Sequence, residues 1–141
     1  MNTLNFLDAS VWLALLWSRH IHSDKANRWF ENTSEERFLF CRITQVTVLR
    51  LLTTQAVMGK DVKKMHEAWE LWDQVCADDR IEILSEPEAI EREFRSVSSL
   101  RSPSPKVWAD AYLLAFASVA GLKLITFDRG LRARGVDVQI L

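Results

Sequence analysis

The stretch that decides the fold is LNFLDASVWLALLW, residues 4–17 of a chain of 141. Its first four residues are a short, mostly apolar run that stops at Asp8. Residues 10–17 are then apolar almost all round, as in a buried helix. The stretch KLITFD, residues 123–128, again places an acid, Asp128, directly after a strand-like run. Buried strands that alternate with helices are typical of an α/β protein.

The same patterns recur along the chain. We predict strands at residues 4–7, 38–41, 81–84, 123–127 and 136–141. We predict helices at residues 10–17, 22–30, 62–75, 86–94 and 106–120, and a further helix that Thr44 caps and that ends near residues 58–59. The serine- and proline-rich residues 96–105 are the one clear loop, and Gly121 is a natural C-cap. Runs that are apolar on both faces indicate a largely parallel sheet covered by helices.

Length and composition indicate a single domain spanning residues 1–141. Of these residues, 48% are apolar and 26% are charged, as in ordinary globular proteins. The net charge of −1 gives no overall attraction to nucleic acid, so any such contact needs a local basic cluster.

The cellular location and the roles of the cysteines and tryptophans can be predicted from the sequence. With no secretory signal and no long apolar run, the expected location is cytoplasmic, without membrane contact. Cys41 and Cys76 show neither metal-ligand nor disulfide spacing and are predicted to be reduced, structural thiols. We expect Trp29, Trp69 and Trp72 in the core or at an interface, with base stacking as the alternative.

Two acids end predicted strands. In open α/β sheets, ligands bind beyond the carboxyl ends of the strands, so Asp8 and Asp128 should reach that edge. The alternative is that each aspartate caps the helix after it. Asp110 falls inside an apolar helix, where a cap is not expected. An ionised buried carboxylate needs an ion pair, a hydrogen bond or a metal, so the alternative for Asp110 is a pair with an arginine or a hydroxyl.

Three carboxylates on one edge repel one another unless a cation lies between them. Oxygen ligands suit Mg²⁺ or Mn²⁺, which bind phosphate oxygens and activate water. Zinc is disfavoured, because His20, His22 and His66 lack companion ligands at useful spacing. A haloacid-dehalogenase-type site needs an acid where Ser10 stands, and a nucleotide-binding loop needs glycines after the first strand.

The sequence resembles a PIN domain, and more narrowly the VapC ribonuclease toxins of bacterial toxin–antitoxin pairs. The matching pieces are FLDASV at 6–11, TQ at 44–45, LRLL at 49–52, DAYLLA at 110–115 and LITFDRGL at 124–131. Each piece alone is weak, but the ordered set spans the chain. The resemblance implies a PIN-like three-layer α/β/α fold with a central five-stranded parallel sheet.

The resemblance also implies a site. Asp8, Asp110 and Asp128 match three acidic positions of the family and are expected to hold Mg²⁺ or Mn²⁺, directly or through water. Ser10 and Thr126 match polar positions where a hydroxyl can orient a carboxylate or a water. One departure concerns the third helix, where the family usually has a further acid and this chain has Thr47. A hydroxyl is a neutral and poorer ligand, so Thr47 is expected to support the site as Ser10 and Thr126 do and to leave the metal with one less negative charge.

Three functional hypotheses remain. In the first, the chain is a metal-dependent endoribonuclease, the toxin of a toxin–antitoxin pair, with Asp128 as a candidate to take the proton of the attacking water. In the second, a catalytically degenerate module binds RNA or an antitoxin without cutting, for which Thr47 is the main support. In the third, an interaction protein uses the aspartates only as caps and pairs.

Partners follow mostly from the resemblance. It implies an RNA substrate, a cognate VapB-like antitoxin and a homodimer, for which the tryptophan-rich helices between His22 and Val75 are candidate interfaces. Three arginines follow the last acid and are candidates to hold RNA phosphates. The alternative for these arginines is an exposed helix with solvated charges. They are Arg129, Arg132 and Arg134.

Overall fold

The computed structural model describes residues 3–33 and 36–141. Its strands are β1 (Leu4–Leu7), β2 (Arg37–Phe40), β3 (Ile81–Ile83), β4 (Lys123–Thr126) and β5 (Asp137–Ile140). Its helices are α1 (Ala9–Leu16), α2 (Ser23–Glu31), α3 (Arg42–Leu52), α4 (Gln55–Met58), α5 (Met65–Cys76), α6 (Ile90–Ser98) and α7 (Val107–Ala120). A single 3₁₀ turn, Gly59–Asp61, follows α4.

The five strands form one sheet in the order β3-β2-β1-β4-β5, and every neighbouring pair is parallel. Successive residues of a strand point to opposite faces. Leu7 and Phe38 therefore pack with α1, α3 and α5 on one face, while Phe6 and Leu39 pack with α6 and α7 on the other. The predicted three-layer α/β/α fold is confirmed.

Parallel strands bring their carboxyl ends to one side of the sheet, which we call the carboxyl edge. The strands β1, β2 and β4 are neighbours and finish there at Leu7, Phe40 and Thr126. Helix α3 starts directly after β2, so its first turn lies at this edge. Helix α7 ends shortly before β4 begins, so it runs back along the sheet and its first turn also lies at the carboxyl edge.

The end of α7 follows the sequence prediction. Gly121 takes a left-handed conformation with φ of 68°, which glycine adopts without steric cost, and its N–H closes the helix by bonding the last carbonyls. The longest helix described, α7, has 14 residues, and none of the helices described has the length and hydropathy of a membrane span.

Both predicted ends of α3 are wrong. Thr44 does not cap α3, because the helix already begins at Arg42 with Cys41 as N-cap. Thr44 lies inside the first turn, buried, with its hydroxyl 3.4 Å from the Cys41 Sγ. The helix also ends at Leu52 rather than near residues 58–59, since Thr53 and Thr54 break it before α4 starts.

Helix α6 lies four residues beyond its predicted position at 86–94. Pro87 disfavours helical backbone at the residue before it, so the chain makes a turn first, closed by the bond from Ile90 N to the Pro87 carbonyl at 3.2 Å. Ile90, Phe94 and Val97 then form the apolar stripe that packs on the core, which carries the helix to Ser98.

Candidate active site

Asp8 ends β1 at the centre of the carboxyl edge. It is the N-cap of α1, and its Oδ1 accepts hydrogen bonds from the Val11 N–H at 3.2 Å and the Ser10 hydroxyl at 2.6 Å. Its Oδ2 accepts a short hydrogen bond from the Thr126 hydroxyl. Asp8 therefore does cap a helix. A carboxylate offers about four lone-pair positions, so Oδ2 keeps room for one further donor or a cation.

Thr126 links Asp8 to the third acid. Besides donating to Asp8, its buried hydroxyl oxygen accepts from the Asp128 N–H at 2.9 Å. The Thr126 side chain thus fixes both the Asp8 carboxylate and the backbone of Asp128. Asp128 itself is exposed, and its Oδ1 accepts from the Gly130 N–H at 2.8 Å. It caps a turn rather than a helix, because residues 129–136 are not helical.

Asp110 lies in the first turn of α7 and is half-buried. As predicted, it lies inside the helix. The N-cap of α7 is Lys106, so Asp110 does not cap the helix. A carboxylate is favoured near a helix N-terminus by the helix dipole. Within the described residues we find no ion pair or hydrogen bond from its carboxylate to an arginine or a hydroxyl.

The three carboxyl groups influence one another electrostatically. The pKa of Asp110 is raised, first by burial and then by the negative charges of Asp128 and Asp8. The pKa of Asp8 is also raised, because burial disfavours its charged form more than the hydrogen bonds from Ser10, Thr126 and the backbone favour it. The structure thus brings three acids from distant sequence positions into one field of negative charge.

The donor chemistry of this cluster fits a hard divalent cation. Its members are carboxylates, and the mutual repulsion that raises the pKa of Asp110 is what a bound cation would relieve. Among residues 3–33 and 36–141, however, no three His, Cys, Asp or Glu side chains converge tightly enough to enclose an ion directly. Mg²⁺ usually keeps several waters when bound to protein. The arrangement therefore fits an ion that some of the aspartates contact through water.

Thr47 occupies the helix position where the resemblance implied a fourth acid. It is half-buried, and its hydroxyl donates to the Ile43 carbonyl one turn earlier at 2.9 Å. In the described part of the chain, this is the hydrogen bond found for the Thr47 side chain. The structure places Thr47 in the second turn of α3, further from the carboxyl edge than the residues of the first turn.

Gln45 is a buried polar residue that was part of the matching piece TQ but was not among the predicted site residues. It lies in the first turn of α3, is 6% exposed, and its amide oxygen accepts a hydrogen bond from the Arg42 guanidinium. The sequence carried a signal for it, because the buried residues Thr44, Gln45, Val48 and Leu52 follow helical spacing and mark the inner face of α3. Gln45 therefore presents a neutral amide near the end of the strand beside Asp8.

An aromatic stack holds the segment that carries Asp128. Phe127 packs face to face on His22, the N-cap of α2, with ring centroids 4.4 Å apart and an interplanar angle of 16°. His20 adjoins His22 at 5.7 Å, and its pKa is lowered by burial and by the charge of His22. These two histidines are packing residues, and the stack fixes the backbone between Thr126 and Asp128.

The three arginines after Asp128 are all exposed, and they do not form a helix. Because β4 and β5 are parallel, residues 127–136 must return from the carboxyl edge to the opposite edge. Arg129 stays beside Asp128, whereas Arg134 is three residues from the start of β5 at the far edge. Arg132 lies between them, with its Nε bonded to the Arg129 carbonyl at 3.2 Å. The three charges are therefore spread along the crossover.

Comparison with known proteins identifies the family. The PIN domain family model matches residues 6–136. Ribonuclease VapC41 of Mycobacterium tuberculosis is 36% identical over 140 residues, covering 95% of this chain and 96% of the relative. Ribonuclease VapC44 of the same organism is 29% identical over 130 residues, covering 92% and 89%.

Solved structures show the same fold. VapBC2 from Rickettsia felis, bound to a promoter DNA fragment, has a TM-score of 0.71 at 12% identity, covering 97% of this chain and 98% of the other. M. tuberculosis VapC20, a sarcin–ricin loop cleaving toxin, has a TM-score of 0.67 at 18% identity, covering 94% and 95%. The chain therefore belongs to the PIN-domain family, and within it to the VapC-type ribonucleases.

Proposed function

We propose that this ribonuclease is a divalent-metal-dependent endonuclease whose Mg²⁺ or Mn²⁺ is held by Asp8, Asp110 and Asp128. One observation carries the proposal. Asp8 and Asp128 follow the neighbouring strands β1 and β4, and Asp110 lies in the first turn of α7 at the same edge of the sheet. In keeping with this, burial and the negative charges of Asp128 and Asp8 raise the pKa of Asp110. Such a cluster is costly without a cation, and structural caps alone do not account for Asp110.

The bound metal would polarise the phosphate and supply an activated water. The residues of the chain would orient the metal ligands and accept a proton. Ser10 and Thr126 hold both oxygens of the Asp8 carboxylate, so the oxygen that faces the metal is fixed before RNA binds. Asp128 is exposed at the mouth of the site and is the candidate to accept the proton from the attacking water.

Arg129 is the arginine best placed to hold a backbone phosphate, because it adjoins Asp128 at the carboxyl edge. Phosphate contacts of this kind position RNA without reading its bases. Arg132 and Arg134 are further along the crossover toward the opposite edge, so we assign them a smaller part in the same role. Gln45, bonded to the Arg42 guanidinium beside the end of β2, offers a neutral oxygen or an amide donor to the same region.

The biological role we propose is that of the toxin in a toxin–antitoxin pair. The support is that curated relatives are named VapC ribonucleases and that similarly folded structures include VapBC complexes. A cognate VapB-like antitoxin would then be the protein partner. The homodimer stays a prediction. The degenerate-module alternative finds no support among the curated relatives, which are named as ribonucleases. The hydroxyl of Thr47 bonds to its own helix and so does not replace the missing acid.

The proposed activity is tested by metal removal and return. The purified chain is expected to cut a structured RNA in Mg²⁺ or Mn²⁺, to stop when EDTA is in excess, and to resume when Mn²⁺ is restored. Ca²⁺, which has weaker geometric demands, serves as a comparison ion. The proposal fails if cleavage persists unchanged in EDTA, or if the folded chain cuts no RNA with either metal.

A further inference from the structure

An exposed tryptophan lies close to the acidic site. Trp108 is the second residue of α7, two positions before Asp110, and is 58% exposed. The first turn of α7 is at the carboxyl edge. Residues two apart on a helix face different directions, so the indole faces solvent on the α6 side of α7, where it contacts Phe94, rather than pointing at the aspartates. Exposed tryptophans of this kind are enriched at binding interfaces, since the ring faces are apolar and the ring edge carries a polar N–H.

The indole forms one wall of a shallow pocket. The cavity has a volume of about 350 Å³, within the range of small-ligand sites. Its other apolar walls are Leu100, Pro103 and Pro105, and Ser98, Ser102 and Ser104 add hydroxyl groups. Phe94 contacts the Trp108 ring in an edge-to-face arrangement, with centroids 6.1 Å apart, and so limits its motion. The pocket thus offers an apolar platform with hydrogen-bonding groups around it.

The loop that forms the pocket carries only basic charged side chains, while acids flank it at Glu91, Glu93 and Asp110. Between residues 94 and 109 the charged side chains are Arg95, Arg101 and Lys106, with no acid among them. Arg95 pairs with Glu91 on its own helix. Arg101 and Lys106 are exposed, adjoin pocket residues in sequence, and take part in none of the ion pairs found in the described ranges. This combination favours a polyanion that carries flat apolar groups.

We propose that the pocket at Trp108 is a subsite that stacks one unpaired nucleobase of the RNA, while Arg101 and Lys106 hold the phosphates beside it. The inference rests on the proposed ribonuclease function and narrows its substrate to RNA that carries an unpaired base. Aromatic stacking and basic side chains are the usual means of binding single strands. A base in a duplex is stacked on its neighbours and cannot enter the pocket.

The test separates binding from cleavage. Fluorescence anisotropy of a fluorescein-labelled single-stranded RNA, measured in EDTA, gives the Kd for the wild-type chain and for Trp108→Ala, Trp108→Phe and Trp69→Ala. We expect Trp108→Ala to weaken binding by about tenfold, and Trp108→Phe by less than about threefold because a ring remains. Trp69, which is 47% exposed on α5, is the matched control, and its loss is expected to leave the Kd unchanged.

A second measurement locates the base. In a series of RNAs with one abasic position each, the wild-type chain is expected to lose affinity at one position, and Trp108→Ala to show no such position. Replacing both Arg101 and Lys106 by alanine is expected to lower the slope of log Kd against log salt by about one to two. Circular dichroism checks that each variant is folded.

Each outcome decides the matter. The proposal is overturned if Trp108→Ala binds the RNA with the wild-type Kd. This holds also if the substitution weakens self-association or antitoxin binding while the RNA Kd is unchanged. It is also overturned if the wild-type chain shows no abasic-sensitive position. A wild-type chain that stacks the base but cuts no RNA in Mg²⁺ or Mn²⁺ would support the subsite and refute the proposed nuclease mechanism.

Discussion

Replacing Asp8 by asparagine is expected to lower metal-dependent RNA cleavage by at least about a hundredfold, since even residues that only orient a metal ligand cost about 10- to 100-fold when removed. The amide is close in shape to the carboxylate and is an equally good N-cap, so α1 should stay intact. What is lost is one negative charge from the acidic cluster. Initial cleavage rates at saturating Mg²⁺ or Mn²⁺ provide the measurement.

The same substitution is expected to stabilise the fold at neutral pH. Burial raises the pKa of Asp8, so the folded chain holds that proton more tightly than the unfolded chain does. The stabilising contribution of the protonated group is therefore complete below the unfolded pKa and is lost as pH rises through the folded pKa. Asparagine stays neutral throughout, so its Tm should exceed that of wild type at pH 7, in the absence of metal, and approach it as pH falls.

The control for both effects is Asp79→Asn, the same chemical change at an exposed turn residue. It should alter neither cleavage nor Tm. An Asp8→Asn protein that cuts RNA at the wild-type rate would remove Asp8 from the site. One that loses activity only because it unfolds would leave Asp8 as a helix cap and nothing more.

The second large effect concerns the core. Trp12→Ala is expected to lower the free energy of unfolding by about 3 to 5 kcal/mol, the usual loss for a large buried aromatic side chain. Trp12 is completely buried in α1, between Phe40 of β2 and Trp72 of α5, with ring centroids 5.8 and 5.7 Å away. Its removal opens a cavity where α1, the sheet and α5 meet. Urea denaturation followed by circular dichroism gives the measurement.

Two further variants qualify this prediction. Within the described residues the buried Trp12 Nε1–H has no hydrogen-bond partner, so Trp12→Phe removes an unsatisfied donor as well as volume and should cost clearly less than alanine. Trp69→Ala, at a residue that is 47% exposed, should change stability little. If Trp12→Ala were no more destabilising than Trp69→Ala, the packing of α1 against the sheet described above would be wrong.

The sheet could be predicted from sequence because its strands are short apolar runs with distinct ends. β1 and β4 each stop just before a polar segment that carries an acid, and the carboxyl edge follows from their parallel arrangement. Helix boundaries were harder to predict. Thr44 has the chemistry of a cap, yet burial draws it inside α3, and Cys41, which is not a typical capping residue, stands at the N-cap. Tertiary packing decided these positions rather than local propensity.

The acids of the site were identified from sequence, but their surroundings were not. A pattern of residues cannot show that Thr126 bonds both Asp8 and the Asp128 backbone, because that contact joins positions 118 residues apart. Nor could it show that Arg134 is carried away from the site, since this depends on a crossover without a helix. Gln45 was not predicted as a site residue, because its burial becomes evident only when α3 is packed in the fold.

The most direct test of the account is Mn²⁺ binding measured by titration calorimetry, in the absence of RNA. We expect the wild-type chain to bind Mn²⁺ with millimolar or better affinity. Asp110→Asn should weaken Mn²⁺ binding by about tenfold or more, while Asp79→Asn should not. Asp110 is the decisive residue, because it does not cap its helix and because burial and the charges of Asp128 and Asp8 raise the pKa of its carboxyl. Unchanged Mn²⁺ affinity in folded Asp110→Asn protein, or no binding by the wild-type chain, would contradict the account.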